Sequence, residues 1–234
     1  ALVTTTAWGN SDFNEDYAFA VMRPGGKTGQ ALQLDATVGT QAISRTDPDY
    51  DAFQVMNKVL GGGPTGRLFT HLREEKGWSY GVSSAVVGGR GPRLFRITAQ
   101  VQTDKTKESI LELQKELRDI LDSRPITAAE LATTQNDTIM GLSGRWQSSG
   151  AVSAALEEIA TFGLPDTYFE SYAQRIRGVT PGMALEAGHT LVPAQTFAWV
   201  VVGDRRRIEA GLRELGMPVQ IVDADGQPAD QSAR

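Results

Sequence analysis

No cysteine occurs among the 234 residues, so disulfides and thiolate-bound metal centres are excluded. Histidine is nearly absent as well: His71 and His189 are the only two. A peptidase-type zinc centre takes about three protein ligands, commonly histidines with a carboxylate. These two lie far apart in the chain, with no second histidine beside either. Positive charge is not in excess. Lys and Arg number 23 against 28 Asp and Glu, for a net charge of -5, which argues against a protein that grips a phosphate backbone. Aromatic residues make up 7%, too few for a stacking platform for bases or sugars. No apolar run approaches the roughly 20 residues that span a bilayer. No leader-peptide pattern is visible and the chain opens on Ala1, so it reads as a piece of something longer.

What is present is ordinary globular composition, 40% apolar and 22% charged, in a chain long enough to bury a core as one domain. Residues 1–16 are polar and irregular and read as a linker remnant. Residues 223–234 hold no apolar residue beyond alanine and read as a flexible tail. One domain, 17–222, is expected between them. Leu32, Leu34, Ala36 and Val38 alternate with polar residues as a half-buried strand does. Asp47-Pro48-Asp49 offers a helix start, and Phe53, Met56, Val59 and Leu60 follow at helical spacing. A short helix is expected over about 66–76, stopped by Gly77. Strands are expected over Tyr80–Val87 and through Phe95, Ile97, Ala99 and Val101. The second half reads as helical, with stripes at Ile110, Leu113, Leu117, Ile120 and Leu121, then Val152, Ala155, Leu156, Ile159 and Ala160, then Phe169, Tyr172, Ala173 and Ile176. Thr127 and Glu130 have the spacing of a capping box. Phe197–Val202 is a continuous apolar run, fit for a strand buried on both faces, and Ile208, Leu212 and Leu215 mark a last helix. The fold class is α+β, a mainly antiparallel sheet packed against helices on one face.

Most candidate sites dissolve on inspection. His71-Leu72-Arg73-Glu74-Glu75 is a truncated H-x-x-E-H with Glu75 in place of the second histidine, and it reads as a solvated helix face rather than a metal site. His189 sits near a helix end, where free carbonyls attract it. Gly61–Gly66 has P-loop spacing. However, Arg67 and Leu68 replace the Lys and Ser/Thr, and a helix precedes it where a strand should, so nucleotide binding is rejected. Gly141-Leu142-Ser143-Gly144 is not a nucleophile elbow.

The informative stretch is 60–84, LGGGPTGRLFTHLREEKGWSYGVSS. A helix, a glycine break and a strand can bring Arg73 and Tyr80 to one lip of a cleft. The guanidinium offers several fixed donors and the phenol one more on a stiff arm. Leu-Gly-Gly, then Gly-Arg-Leu-Phe-x-x-Leu-Arg-Glu, then Gly-x-x-Tyr resembles the signature of the C-terminal, inactive domain of the M16 metallopeptidases, the pitrilysin and mitochondrial-processing-peptidase-like family. Asp47-Pro48-Asp49-Tyr50 and the helix ending at Leu60-Gly61-Gly62 agree with it, and the similarity runs in order over roughly 30–203. The resemblance implies the LuxS/MPP-like metallohydrolase fold and a bacterial zinc protease of two homologous domains facing a chamber. It implies no metal on this chain, with zinc on an N-terminal H-x-x-E-H domain or subunit, or on a homologous copy, as partner. Arg73 and Tyr80 would then be the substrate-binding pair for a peptide, and this chain alone would be inactive. By family analogy the compartment is the bacterial periplasm or the cytoplasm, the periplasm being favoured. The common Gly-Leu-Ala-Tyr appears as Gly77-Trp78-Ser79-Tyr80, which leaves the role of Trp78 open. The alternative is a non-catalytic structural or peptide-binding subunit on the same fold.

Overall fold

The computed structural model of the chain describes residues 2–8, 17–22, 37–90, 93–191 and 197–222. In chain order the elements are β1 (Leu2–Trp8), β2 (Tyr17–Met22), β3 (Thr37–Ala42), α1 (Tyr50–Leu60), α2 (Arg67–Phe69), β4 (Ser79–Val87), β5 (Arg93–Gln102), α3 (Thr106–Asp119), α4 (Ala128–Met140), α5 (Ser149–Phe162), α6 (Tyr172–Gly178), α7 (Pro181–Leu191), β6 (Ala198–Asp204), α8 (Arg205–Arg213) and β7 (Val219–Val222). The short α2 runs directly into a π-helical turn, Thr70–Glu75.

Local signals account for most of these boundaries. The Asp49 amide donates to the Asp47 carboxylate at 2.9 Å, turning the chain into α1. The Thr127–Glu130 capping box forms: the Glu130 amide donates to Thr127 Oγ1 at 3.2 Å and the Thr127 amide to Glu130 Oε2 at 2.9 Å. Gly163 closes α5 at φ +64, a left-handed conformation that glycine adopts without strain.

Among the described residues, seven strands form one sheet. β5 pairs antiparallel with β3 and β4, and β2 pairs antiparallel with β6 and β7. Among the described strands only β1 pairs in parallel, against both β5 and β6. The alternation expected for β5 is present. Phe95, Ile97, Ala99 and Val101 are fully buried under the helices, while Arg96, Gln100 and Gln102 are exposed on the opposite face. Phe53 of α1 meets Phe95 edge-on, ring centroids 5.4 Å apart. Such a pair adds about 1 kcal/mol to the area it buries. β6 is buried on both faces as expected: Trp199 and Val201 join the main core, while Val200 and Val202 pack with Val222 in a smaller second cluster.

Some expectations change. Part of the segment read as a linker remnant, 1–16, is a strand: Leu2–Trp8 is β1. Its threonines suit a pleated ribbon, but its partners, near Ile97 and Val200, lie too far along the chain for a local pattern to show. The strand expected at Leu32–Val38 overlaps β3 only at Thr37 and Val38; its earlier part lies outside the described residues, as does the tail 223–234. The α5 stripe is not a core stripe. Only Ala155 is buried, Val152 and Ile159 are half-buried, and Leu156 is 58% exposed.

Candidate functional site

Arg73 and Tyr80 come together. Arg73 stands in the π-helical turn, which inserts one extra residue relative to an α-turn, a feature often found at functional positions. Gly77 then takes φ +63, and the Trp78 and Gly77 amides donate to the carbonyls of Leu72 and Arg73 at 2.9 and 3.1 Å. These bonds fold the chain back onto β4. A bulge between Ser79 and Gly81 opens that strand. It is pinned by the Ser79 hydroxyl, which donates to the Gln100 carbonyl at 2.6 Å and accepts from the Gly81 amide at 3.1 Å. The bulge aims Tyr80 outward: its side chain is among the most exposed aromatics, at 65%. The Arg73 guanidinium lies 5.3 Å from the Tyr80 ring centroid and 4.9 Å from that of Phe69. Two rings therefore orient one cation at an accessible lip. A guanidinium set over aromatic faces keeps N–H donors at its edge, and here Nε also faces the Glu74 carboxylate at 3.4 Å.

The turn beneath this lip is held from both sides. Arg67 is buried, and its guanidinium donates to Glu130 Oε1 and Oε2 at 2.7 and 2.8 Å and to the carbonyls of Arg124 and Pro125. The same Glu130 carboxylate serves the α4 capping box. The Arg67 guanidinium, opposed by partial burial and aided by Thr127, holds the Glu130 carboxyl down to about 2. On the other side, Asn57 at the end of α1 clamps β4. Its Nδ2 donates to the Ser84 carbonyl at 3.2 Å, its Oδ1 accepts from the Ser84 hydroxyl at 2.6 Å, and the Ser84 amide donates to the Gly61 carbonyl at 2.7 Å. GGGPTG is thus a tight turn between helices, as the sequence indicates. A Cβ on Gly66 would sit 2.8 Å from the Gly61 Cα, so only glycine permits that approach.

His71 differs from the solvated face expected of it. Its side chain is 14% exposed and Nδ1 lies 2.8 Å from Oε1 of the fully buried Glu116. The π-turn rotates this residue toward α3, a register that α-helical spacing does not anticipate. With Glu112 it forms the one group among the described residues whose ligand atoms, all within 4.8 Å of one another, have metal-ligand chemistry. Three side-chain cations already face these carboxylates: Lys76 at 3.5 Å from Glu112, Lys115 at 3.4 Å and Arg124 at 3.3 Å from Glu116. A divalent ion here would compete with these cations for the carboxylates. His189 lies in the last turn of α7 and is exposed.

Sequence reasoning missed the Asn57–Ser84 clamp and the Arg67–Glu130 anchor. Burial of an Asn and an Arg leaves no mark in a periodicity, although both stand inside the motif.

Known proteins resemble this chain in sequence and in fold. The model of the family described as Peptidase M16 inactive domain matches residues 26–137, which include α1, the glycine turn, Arg73, Tyr80 and Glu130. An uncharacterized zinc protease of Streptomyces coelicolor is 27% identical over 161 residues, 67% of this chain and 33% of that protein. The crystal structure of a peptidase M16 inactive domain from Pseudomonas fluorescens superposes with a TM-score of 0.65 at 20% identity, over 86% of this chain and 42% of that one. The periplasmic protease PqqL from Escherichia coli superposes with a TM-score of 0.58 at 17% identity, over 86% of this chain and 20% of that one. At these identities the structural likenesses establish the fold. The chain spans about a third of the curated relative and less than half of either solved chain. The helix–turn–strand segment lies inside the matched stretch and the sheet-and-helix architecture is shared, so this chain is similar in sequence over 26–137, and in fold, to the inactive domain of the peptidase M16 family.

Proposed function

We propose that this domain is the zinc-free half of a zinc metallopeptidase, in which Arg73 and Tyr80 hold the main chain of a peptide while a partner H-x-x-E-H domain or subunit carries the metal. The observation that carries the reading is the stacking of the Arg73 guanidinium on Tyr80 at an exposed lip, on a turn anchored by buried residues. An exposed pair gains little stability from such anchoring, so the rigid support fits a role in gripping something. The guanidinium presents donors for peptide carbonyls, and the Tyr80 hydroxyl adds one that can strengthen as a carbonyl oxygen gains charge. The Asn57–Ser84 clamp occupies the outward main-chain groups of β4 at Ser84. A peptide therefore meets this lip rather than pairing along the whole strand edge. Zinc would supply the activated water from the partner's side. The E. coli neighbour favours a periplasmic setting.

The test reconstitutes this chain with its zinc-bearing partner domain and follows cleavage of a fluorogenic peptide. Arg73→Ala and Tyr80→Phe should each lower kcat/KM by about 10- to 100-fold, the scale of losing one placed donor, while zinc content by atomic absorption stays the same. Unaltered turnover in both variants refutes the assignment.

A further inference from the structure

A second concavity lies between α1, β4, α4 and α5, with a volume of about 480 Å³, within the range of small-ligand sites. Its charged lining comprises Arg45, Lys58, Asp137, Arg145 and Glu158. Arg45 and Arg145 converge on one carboxylate, donating to Glu158 Oε1 and Oε2 at 3.0 and 2.7 Å. Lys58 has no such partner. Among the described residues it forms no ion pair within 4.0 Å. Its ammonium donates to Thr138 Oγ1 at 3.0 Å, and that hydroxyl already donates onward to the Thr134 carbonyl. Two of the three ammonium hydrogens remain for a ligand. Three cations against two carboxylates leave the lining with one positive charge in excess, in a chain whose net charge is -5.

From this geometry we infer that the concavity is a binding site for a single carboxylate of a peptide, held by Lys58 with Arg145 beside it. A monoanion neutralises the excess. A dianionic phosphate would meet Asp137 and Glu158 with charge left over. Ser84, Ala85 and Val86 of β4 form one wall, an extended surface along which a peptide-like ligand can lie. Burial pushes the Lys58 ammonium below the ordinary lysine range, with Asp137 opposing, and a bound carboxylate relieves that desolvation. The site lies several residues along β4 from Tyr80 and does not depend on the role assigned to the Arg73–Tyr80 lip.

The experiment titrates the whole chain by NMR with three probes: acetyl-trialanine acid, acetyl-trialanine amide, and acetyl-Ala-Glu-Ala amide. At least one acid-bearing probe should bind about tenfold tighter than the neutral amide, and whichever does so identifies a terminal or a side-chain carboxylate as the source. Tenfold corresponds to about 1.4 kcal/mol, a modest value for a half-buried ion pair. Lys58→Met should abolish the preference and Lys58→Arg should keep it. Equal binding of all three probes by the unaltered chain, or a preference that survives Lys58→Met, overturns the proposal. The probes need no zinc-bearing partner and no turnover, so failure here is separable from failure of the peptidase reading.

Discussion

The Arg67–Glu130 anchor makes the stability of this domain depend on pH in a way that can be measured. Glu130 titrates near 2 in the folded chain and near 4.3 in an unfolded one. Because the folded carboxyl binds its proton less tightly, the pair stabilises the domain fully above the unfolded value and progressively less as pH falls toward 2. A shift of that size corresponds to roughly 3 kcal/mol. The Glu130 side chain is 33% exposed and solvent screens part of the interaction, so about 1–2 kcal/mol is the expected net contribution. Glu130→Gln keeps an oxygen for the Thr127 cap and removes the charge. Urea unfolding followed by circular dichroism should show the variant about 1–2 kcal/mol less stable than the parent at pH 7. That gap should shrink by about half at pH 3. Glu158, Asp119 and Glu209 also have lowered values, set chiefly by Arg45 and Arg145, by Lys115, and by Arg205 and Arg213 against the opposing cost of burial. They are common to both proteins and cancel in the difference. A gap that stays constant between pH 7 and pH 3 refutes the reasoning.

Two further outcomes test the scaffold of the lip. Asn57→Ala leaves the buried Ser84 hydroxyl and carbonyl without their partner, so a loss of about 2–3 kcal/mol in urea unfolding is expected. A loss under 0.5 kcal/mol would show that the clamp is dispensable. Gly66→Ala puts a methyl 2.8 Å from backbone at Gly61, whereas Gly63→Ala meets nothing within 4 Å. The first should cost about 1–3 kcal/mol and the second close to nothing, and equal thermal shifts for the two would contradict the packing described.

Elements with a repeating chemical signature were legible in the chain. The period-2 alternation of β5, the capping box of α4 and the apolar run of β6 appear as their spacing implies, because each encodes a local geometry that tertiary contacts reinforce. The stripe expected in α5 failed for the opposite reason. Periodicity shows which residues share a face, not whether anything covers that face, and Leu156 stands exposed. His71 was misplaced because a π-turn advances each residue by less than the α-helical rotation, carrying its ring onto Glu116.

By itself the order of residues determined the α+β class, the absence of thiolate chemistry, and the pairing of Arg73 with Tyr80 through a glycine break only a few residues long. Everything resting on distant partners was decided by the tertiary structure: β1 against β5 and β6, Arg67 on Glu130, Asn57 on Ser84, and the lysine that forms no ion pair among the described residues in the α1–β4 concavity. The physical reason is one of range. Capping, turns and amphipathic spacing act over a few residues, whereas the burial of a charge or the pairing of a strand depends on what the rest of the chain brings to it.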